Sequence, residues 1–125
     1  MIVLDTSVLI ESLTGEKPLF AALRQAIVAG RVLFVPSLVL YEWRRGPRTA
    51  DEISGQEKLL PPAYYVPFDV DEAIMSARLY RSLSRPRTRE MDIGIAACAI
   101  VRDAELWTLN PADFDDIPGL RLYRA

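Results

Sequence analysis

The sequence predicts an α/β domain with a largely parallel sheet, and three observations lead there. Short apolar runs recur along the chain, each too short for a helix and bounded by turn residues. Segments of helical length with apolar residues on one face separate them, and strands alternating with helices require crossovers between parallel neighbours. At 125 residues, half of them hydrophobic, the chain suits one compact unit spanning 1–125 with a real core.

The elements follow in order. Ile2-Val3-Leu4 reads as a buried strand. Thr6 or Ser7 is placed to cap a helix carrying Val8, Leu9, Ile10 and Leu13, which Gly15 ends. Pro18 opens a second helix with Leu19, Phe20, Leu23, Ala26 and Ile27 on one face, closed by Gly30. Residues 32–35 form the second strand, and Ser37 is placed to cap a helix to about Arg45, stopped at Gly46-Pro47. Residues 48–60 are polar, with a weak helical pattern. Tyr64 to Phe68 suits an edge strand, because Pro67 has no N–H for a ladder. Asp69 or Asp71 caps a helix carrying Ala73, Ala77, Tyr80 and Leu83. Ser84 to Glu90 is a basic loop broken by Pro86. Met91 to Val101 is the clearest helix, with Ile93, Ala96, Ala97, Ile100 and Val101 as its stripe. Residues 106–109 and 120–123 supply two last strands, five in all.

Composition narrows the chemistry. There is no histidine, which removes Ser-His-Asp and Cys-His catalysis, histidine-driven RNA cleavage and the usual zinc sites. The single cysteine, Cys98, excludes an internal disulfide and paired-cysteine motifs, and reads as a small core residue. Carboxylates, hydroxyls, lysine, tyrosine and a hard metal ion remain. A net charge of −2 argues against bulk electrostatic binding of nucleic acid, though not against a local basic patch. No run approaches the roughly 18 apolar residues of a membrane span. Asp5 interrupts the first apolar run too early for a secretory leader, so a cytoplasmic protein is expected.

Four acids stand out. Asp5 follows the first strand, where parallel sheets gather ligand-binding residues, although it also suits a helix cap. Glu42 lies within an apolar helix and needs either an exposed face or a partner. Asp92 begins the apolar helix, where a negative side chain is favourable for capping alone. Asp113 follows the fourth strand in Thr108-Leu109-Asn110-Pro111-Ala112-Asp113-Phe114, a stretch that also suits a turn. Carboxylates meeting at one point repel unless hard cations hold them, and Mg²⁺ and Mn²⁺ favour oxygen ligands. Such a set makes a phosphodiester hydrolysis site.

These segments resemble the PIN-domain family. Met1-Ile2-Val3-Leu4-Asp5-Thr6-Ser7 is similar to its opening strand and Asp-Thr-Ser motif. Pro36 to Glu42 resembles its second motif, Asp92 to Ala99 its third, and Thr108 to Phe114 with Ile117 to Leu120 its fourth. Four motifs in order cover the chain, and its size and ending resemble VapC-type toxin ribonucleases of type II toxin–antitoxin systems. The resemblance implies a three-layer α/β/α PIN-like domain with first and fourth strands adjacent. It implies a Mg²⁺- or Mn²⁺-dependent endoribonuclease, a homodimer, inhibited by a VapB-type antitoxin protein. Asp5, Glu42, Asp92 and Asp113 would be catalytic, with Asp5 and Asp92 holding the main metal and Thr6, Ser7 and Asn110 supporting. Many PIN domains carry an acid where this chain has Asn110.

Two arginine groups abut these positions: Arg44, Arg45 and Arg48 after Glu42, and Arg85, Arg87 and Arg89 before Asp92. Either could clamp RNA phosphates, and the second is preferred. Trp43, Tyr41, Trp107 and Tyr80 read as core or dimer contacts rather than base-stacking platforms. A phosphotransfer site would want a second acid where Ser7 stands, and a P-loop would want a glycine-rich turn after the first strand. The remaining alternative is a catalytically weak or inactive PIN-like RNA- or protein-binding module.

Overall fold

The computed structural model describes residues 1–15 and 17–125. Five strands form one sheet: β1 (Ile2–Leu4), β2 (Leu33–Pro36), β3 (Tyr65–Val66), β4 (Glu105–Trp107) and β5 (Arg121–Leu122). Their spatial order is β3-β2-β1-β4-β5, and every pairing is parallel. Parallel neighbours need crossovers, which the helices supply. These are α1 (Thr6–Thr14), α2 (Lys17–Val28), α3 (Ser37–Arg45), α4 (Ala50–Leu59), α5 (Val70–Ser82) and α6 (Glu90–Val101). The result is a three-layer α/β/α fold with β1 at its centre.

Buried Ile2, Val3 and Leu4 of β1 pack with Leu33, Val35 and Leu106 and with the helices above and below. The chain builds outward from β1 to β2 and β3, then returns to lay β4 on the other side of β1. This reversal opens a crevice beyond the carboxyl ends of β1 and β4, where open parallel sheets place ligands. Register fixes it: Leu4 stands opposite Trp107, so Asp5 and Thr108 leave the sheet side by side.

Several expectations change. Residues 48–60 fold as α4, whose capping box joins the Thr49 hydroxyl to Glu52 N–H and the Glu52 carboxylate to Thr49 N–H. Asp69 and Glu72 make the same box at α5. The apolar face of α5 is not Ala73, Ala77 and Tyr80, which face outward. Leu79 and Glu72 turn inward instead, where Arg102 of the α6 C-terminus pairs with Glu72 at 2.8 Å. Burial pushes the Glu72 carboxyl up, but N–H donors of the cap and Arg102 outweigh it and hold it low. Phe20 on α2 is likewise exposed.

Helix α6 is buried from Ile93 through Ala99 on every face rather than along one stripe. It lies against α5, α3, β1 and β4 at once, as an all-round apolar helix must. Gly94 permits that approach, because a β-carbon there would meet Leu38 Cδ1 of α3 at 2.6 Å. Cys98 is buried in this helix, and burial pushes its thiol up to about 11.

Candidate active site

The four acids come from four separate segments. Asp5 occupies the N-cap position of α1 but makes no cap bond. The residue is 5% exposed, and two hydroxyls take one of its carboxylate oxygens: Ser7 donates to Oδ2 at 2.8 Å and Thr108 donates to Oδ2 at 2.7 Å. Ser7 in turn accepts Leu109 N–H at 3.1 Å, and Thr108 accepts Asn110 N–H at 3.0 Å. No hydrogen bond reaches Asp5 Oδ1 among the described residues. A buried carboxylate is thus gripped by one oxygen with the other left over for a ligand.

Thr6 does not cap α1 either; its hydroxyl donates to Glu42 Oε1 at 2.6 Å. This bond supplies the partner that a carboxylate inside an apolar helix needs. Arg45 lies 3.4 Å from the other Glu42 oxygen. Ser37 is the first residue of α3, behind Pro36 at the N-cap, and its hydroxyl accepts Phe68 N–H. Arg89 holds the N-cap position of α6, which makes Asp92 the third residue of the helix. Asp92 receives no hydrogen bond among the described residues. Its carboxyl is pushed up to about 6, first by burial and then by the charges of Asp5, Asp113 and Glu42, with Arg89 opposing. The four acids therefore share one electrostatic field.

Asp113 closes a 3-10 turn, Pro111–Asp113, and is exposed. Asn110 is exposed too, and its side chain makes no hydrogen bond among the described residues. Among the described residues, no three acidic side chains are drawn close enough to hold a metal ion as they stand. The donor set nevertheless has the chemistry for a hard divalent cation: carboxylate oxygens, hydroxyl neighbours, no nitrogen or sulfur.

The arginines divide. Arg89 is engaged within the chain: it donates to both oxygens of Asp116 at 2.8 and 2.6 Å and to the Asp113 carbonyl at 2.9 Å. Arg85 and Arg87 are exposed and form no ion pair among the described residues. Arg48 lies over the ring of buried Trp43, and Arg44 pairs with Glu57. Trp43 and Trp107 are core, whereas Tyr41 and Tyr80 are exposed.

A family model described as PIN domain matches residues 2–120. The chain belongs to the PIN-domain family. Among curated relatives of this PIN domain, Ribonuclease VapC19 of Mycobacterium tuberculosis is 32% identical over 124 residues, covering 97% of this chain and 98% of the relative. VapBC2 from Rickettsia felis, solved bound to a promoter DNA fragment, superposes with a TM-score of 0.77 at 21% identity, covering 98% of both chains. A toxin–antitoxin complex from Klebsiella pneumoniae gives 0.66 at 24% identity over the full length of both. These structures share the fold of this PIN domain.

Two participants escaped the sequence reading. Thr108 stood in the fourth motif without a role, because residues 106–109 read as strand; β4 ends at Trp107, which leaves the Thr108 hydroxyl free to reach Asp5. Asp116 gave none, because its partner Arg89 is 27 residues away.

Proposed function

We propose that this PIN domain is a metal-dependent endoribonuclease, the toxin of a VapBC-type toxin–antitoxin pair acting in the cytoplasm. The observation that carries the reading is the half-gripped Asp5 carboxylate coupled through its charge to Asp92, whose carboxyl is raised first by burial and then by Asp5, Asp113 and Glu42. Uncompensated carboxylates at the switch point of a parallel sheet are an arrangement that a Mg²⁺ or Mn²⁺ ion relieves. The kinship with Ribonuclease VapC19 supports RNA as the substrate.

Asp5 Oδ1 and the Asp92 carboxylate would hold the ion, with Glu42 and Asp113 beside them. When bound, such an ion activates water and neutralises charge at the attacked phosphate. The chain's own residues supply orientation. Ser7 and Thr108 fix the Asp5 plane, and Thr6 fixes Glu42. Arg85 and Arg87, exposed ahead of α6, would engage phosphates along the RNA. Partners are an antitoxin protein and a second copy of the chain. Support comes from the Klebsiella pneumoniae toxin–antitoxin complex and from the outward apolar side chains Val70, Ile74 and Tyr80 of α5.

The test is cleavage of a labelled RNA pool with Mg²⁺ or Mn²⁺. Asp5→Asn should reduce the rate at least about 100-fold while the fold survives. Cleavage at the parent rate would sink the assignment. The exposed, neutral Asn110 favours a second reading, a PIN-like binding module with weak or no catalysis. RNA binding without cleavage, and without Mn²⁺ uptake that Asp92→Asn abolishes, would select it.

A further inference from the structure

Arg89 reaches Asp92 through its charge and commits its guanidinium to partners on another loop. It ends the 3-10 turn Pro86–Arg89, three residues before Asp92. Its fork spans 24 to 27 residues of sequence to grip Asp116 through both oxygens and the Asp113 backbone carbonyl. The side chain is 20% exposed, and Asp116 raises its basicity further. Bidentate pairing of this kind fixes orientation as well as adding energy. The gripped loop has one other anchor on each side of Asp116: Phe114 and Ile117 are buried in the core. Asp113 lies between Asn110 and Phe114, so the carbonyl bond from Arg89 is what ties the residue carrying the fourth acid to the start of α6.

We propose that Arg89, with Asp116, is a positioning residue that sets the Asp113 loop against Asp92 so that the acid cluster takes up its metal. The proposal rests on the metal-dependent reading of the site. It reassigns Arg89 from phosphate contact to loop placement and makes Asp116 its necessary partner.

The two roles, and plain electrostatics, give opposite signs. Deleting a positive charge beside carboxylates should by charge alone tighten cation binding. Loss of placement should weaken it. Mn²⁺ binding to the RNA-free protein, followed by titration calorimetry, reads the difference. Arg89→Ala should weaken Mn²⁺ binding about 10-fold, in the range usual for residues that orient ligands. Arg89→Ala combined with Asp116→Ala, which leaves net charge unchanged, should be no weaker than the weaker single variant, because the two act as one unit. Arg89→Lys should recover only part of the loss, since an ammonium cannot make the fork. The salt slope of RNA binding should stay at its parent value in all three.

Unchanged or tighter Mn²⁺ binding in Arg89→Ala would overturn the proposal, as would a reduced salt slope confined to the Arg89 variants. If Arg89→Ala fails to fold, Arg89→Lys and Asp116→Asn carry the same comparison. Parent protein that binds Mn²⁺ alongside an unaffected Arg89→Ala removes this proposal alone. Parent protein that binds no Mn²⁺ removes the metal-dependent reading and this proposal with it.

Discussion

Asp92→Asn, studied without metal, should be more stable than the parent near neutral pH. The Asp92 carboxyl is carried from the ordinary 3.8 to about 6 in the folded chain, by burial first and then by Asp5, Asp113 and Glu42. The folded state therefore holds this proton more tightly than the unfolded state. The stability it contributes is complete below the unfolded value and is lost as pH rises through about 6. Above that, the ionised group burdens the fold. At full strength the burden is ~3 kcal/mol. Asp92 is partly open to solvent, which screens it, so about 1 kcal/mol is the expected gain for Asn. That corresponds to a rise in Tm of about 4 °C for a chain of this size. Urea unfolding in EDTA at about pH 7.5 and again near pH 4.5 measures it, and the difference should shrink toward zero at the lower pH. Saturating Mn²⁺ should reverse the order, since a ligand at a hundred times its Kd stabilises by about 2.7 kcal/mol and only the parent has the site. Equal or lower stability of Asp92→Asn at the higher pH, or a gain independent of pH, would refute the reasoning.

Two further outcomes follow from the hydrogen-bond record. Thr108→Val removes a donor from the Asp5 carboxylate and the acceptor of Asn110 N–H, and should cost about 2 kcal/mol in urea unfolding as well as slowing cleavage. Arg102→Met leaves Glu72 buried without its cation, and should cost about 3 kcal/mol near neutral pH, measured by the same method.

The order of strands and helices was legible because each element carries its own period and stop signal. Gly15 ends α1, and Pro67 directly follows the edge strand β3, which is shortened to Tyr65–Val66. What was not legible is the direction in which a face turns when a polar residue is buried on it. Ala73, Ala77 and Tyr80 look like the inner face of α5 until Glu72 is seen to cap the helix and bind Arg102 from within. In α4 the apolar pattern was weak because its fully buried residue is Gln56, yet Thr49 and Glu52 already spelled a capping box. The cap signal was the better witness there.

The site obeys the same division. Each acid alone had an ordinary explanation in local chemistry: a cap for Asp5 and Asp92, a turn for Asp113, an exposed face for Glu42. The structure removes three of them. Asp5 stands at a cap position without capping, Asp92 lies inside its helix with Arg89 at the N-cap, and Glu42 is bonded to Thr6 from another helix. Asp113 keeps its turn, and Arg89 holds that turn against α6. Apart from Ser7, two residues from Asp5, the partnerships are long-range: Thr108 meets Asp5 across 103 residues only because β4 returns beside β1. A single sequence records residue types and spacing, but the register that makes Leu4 face Trp107 belongs to the assembled sheet. The acids Asp5 and Asp92, with the Thr6 and Ser7 hydroxyls beside them, were therefore readable as candidates, whereas Thr108 and the placement of Arg89 on the Asp113 loop became readable only once the sheet was closed.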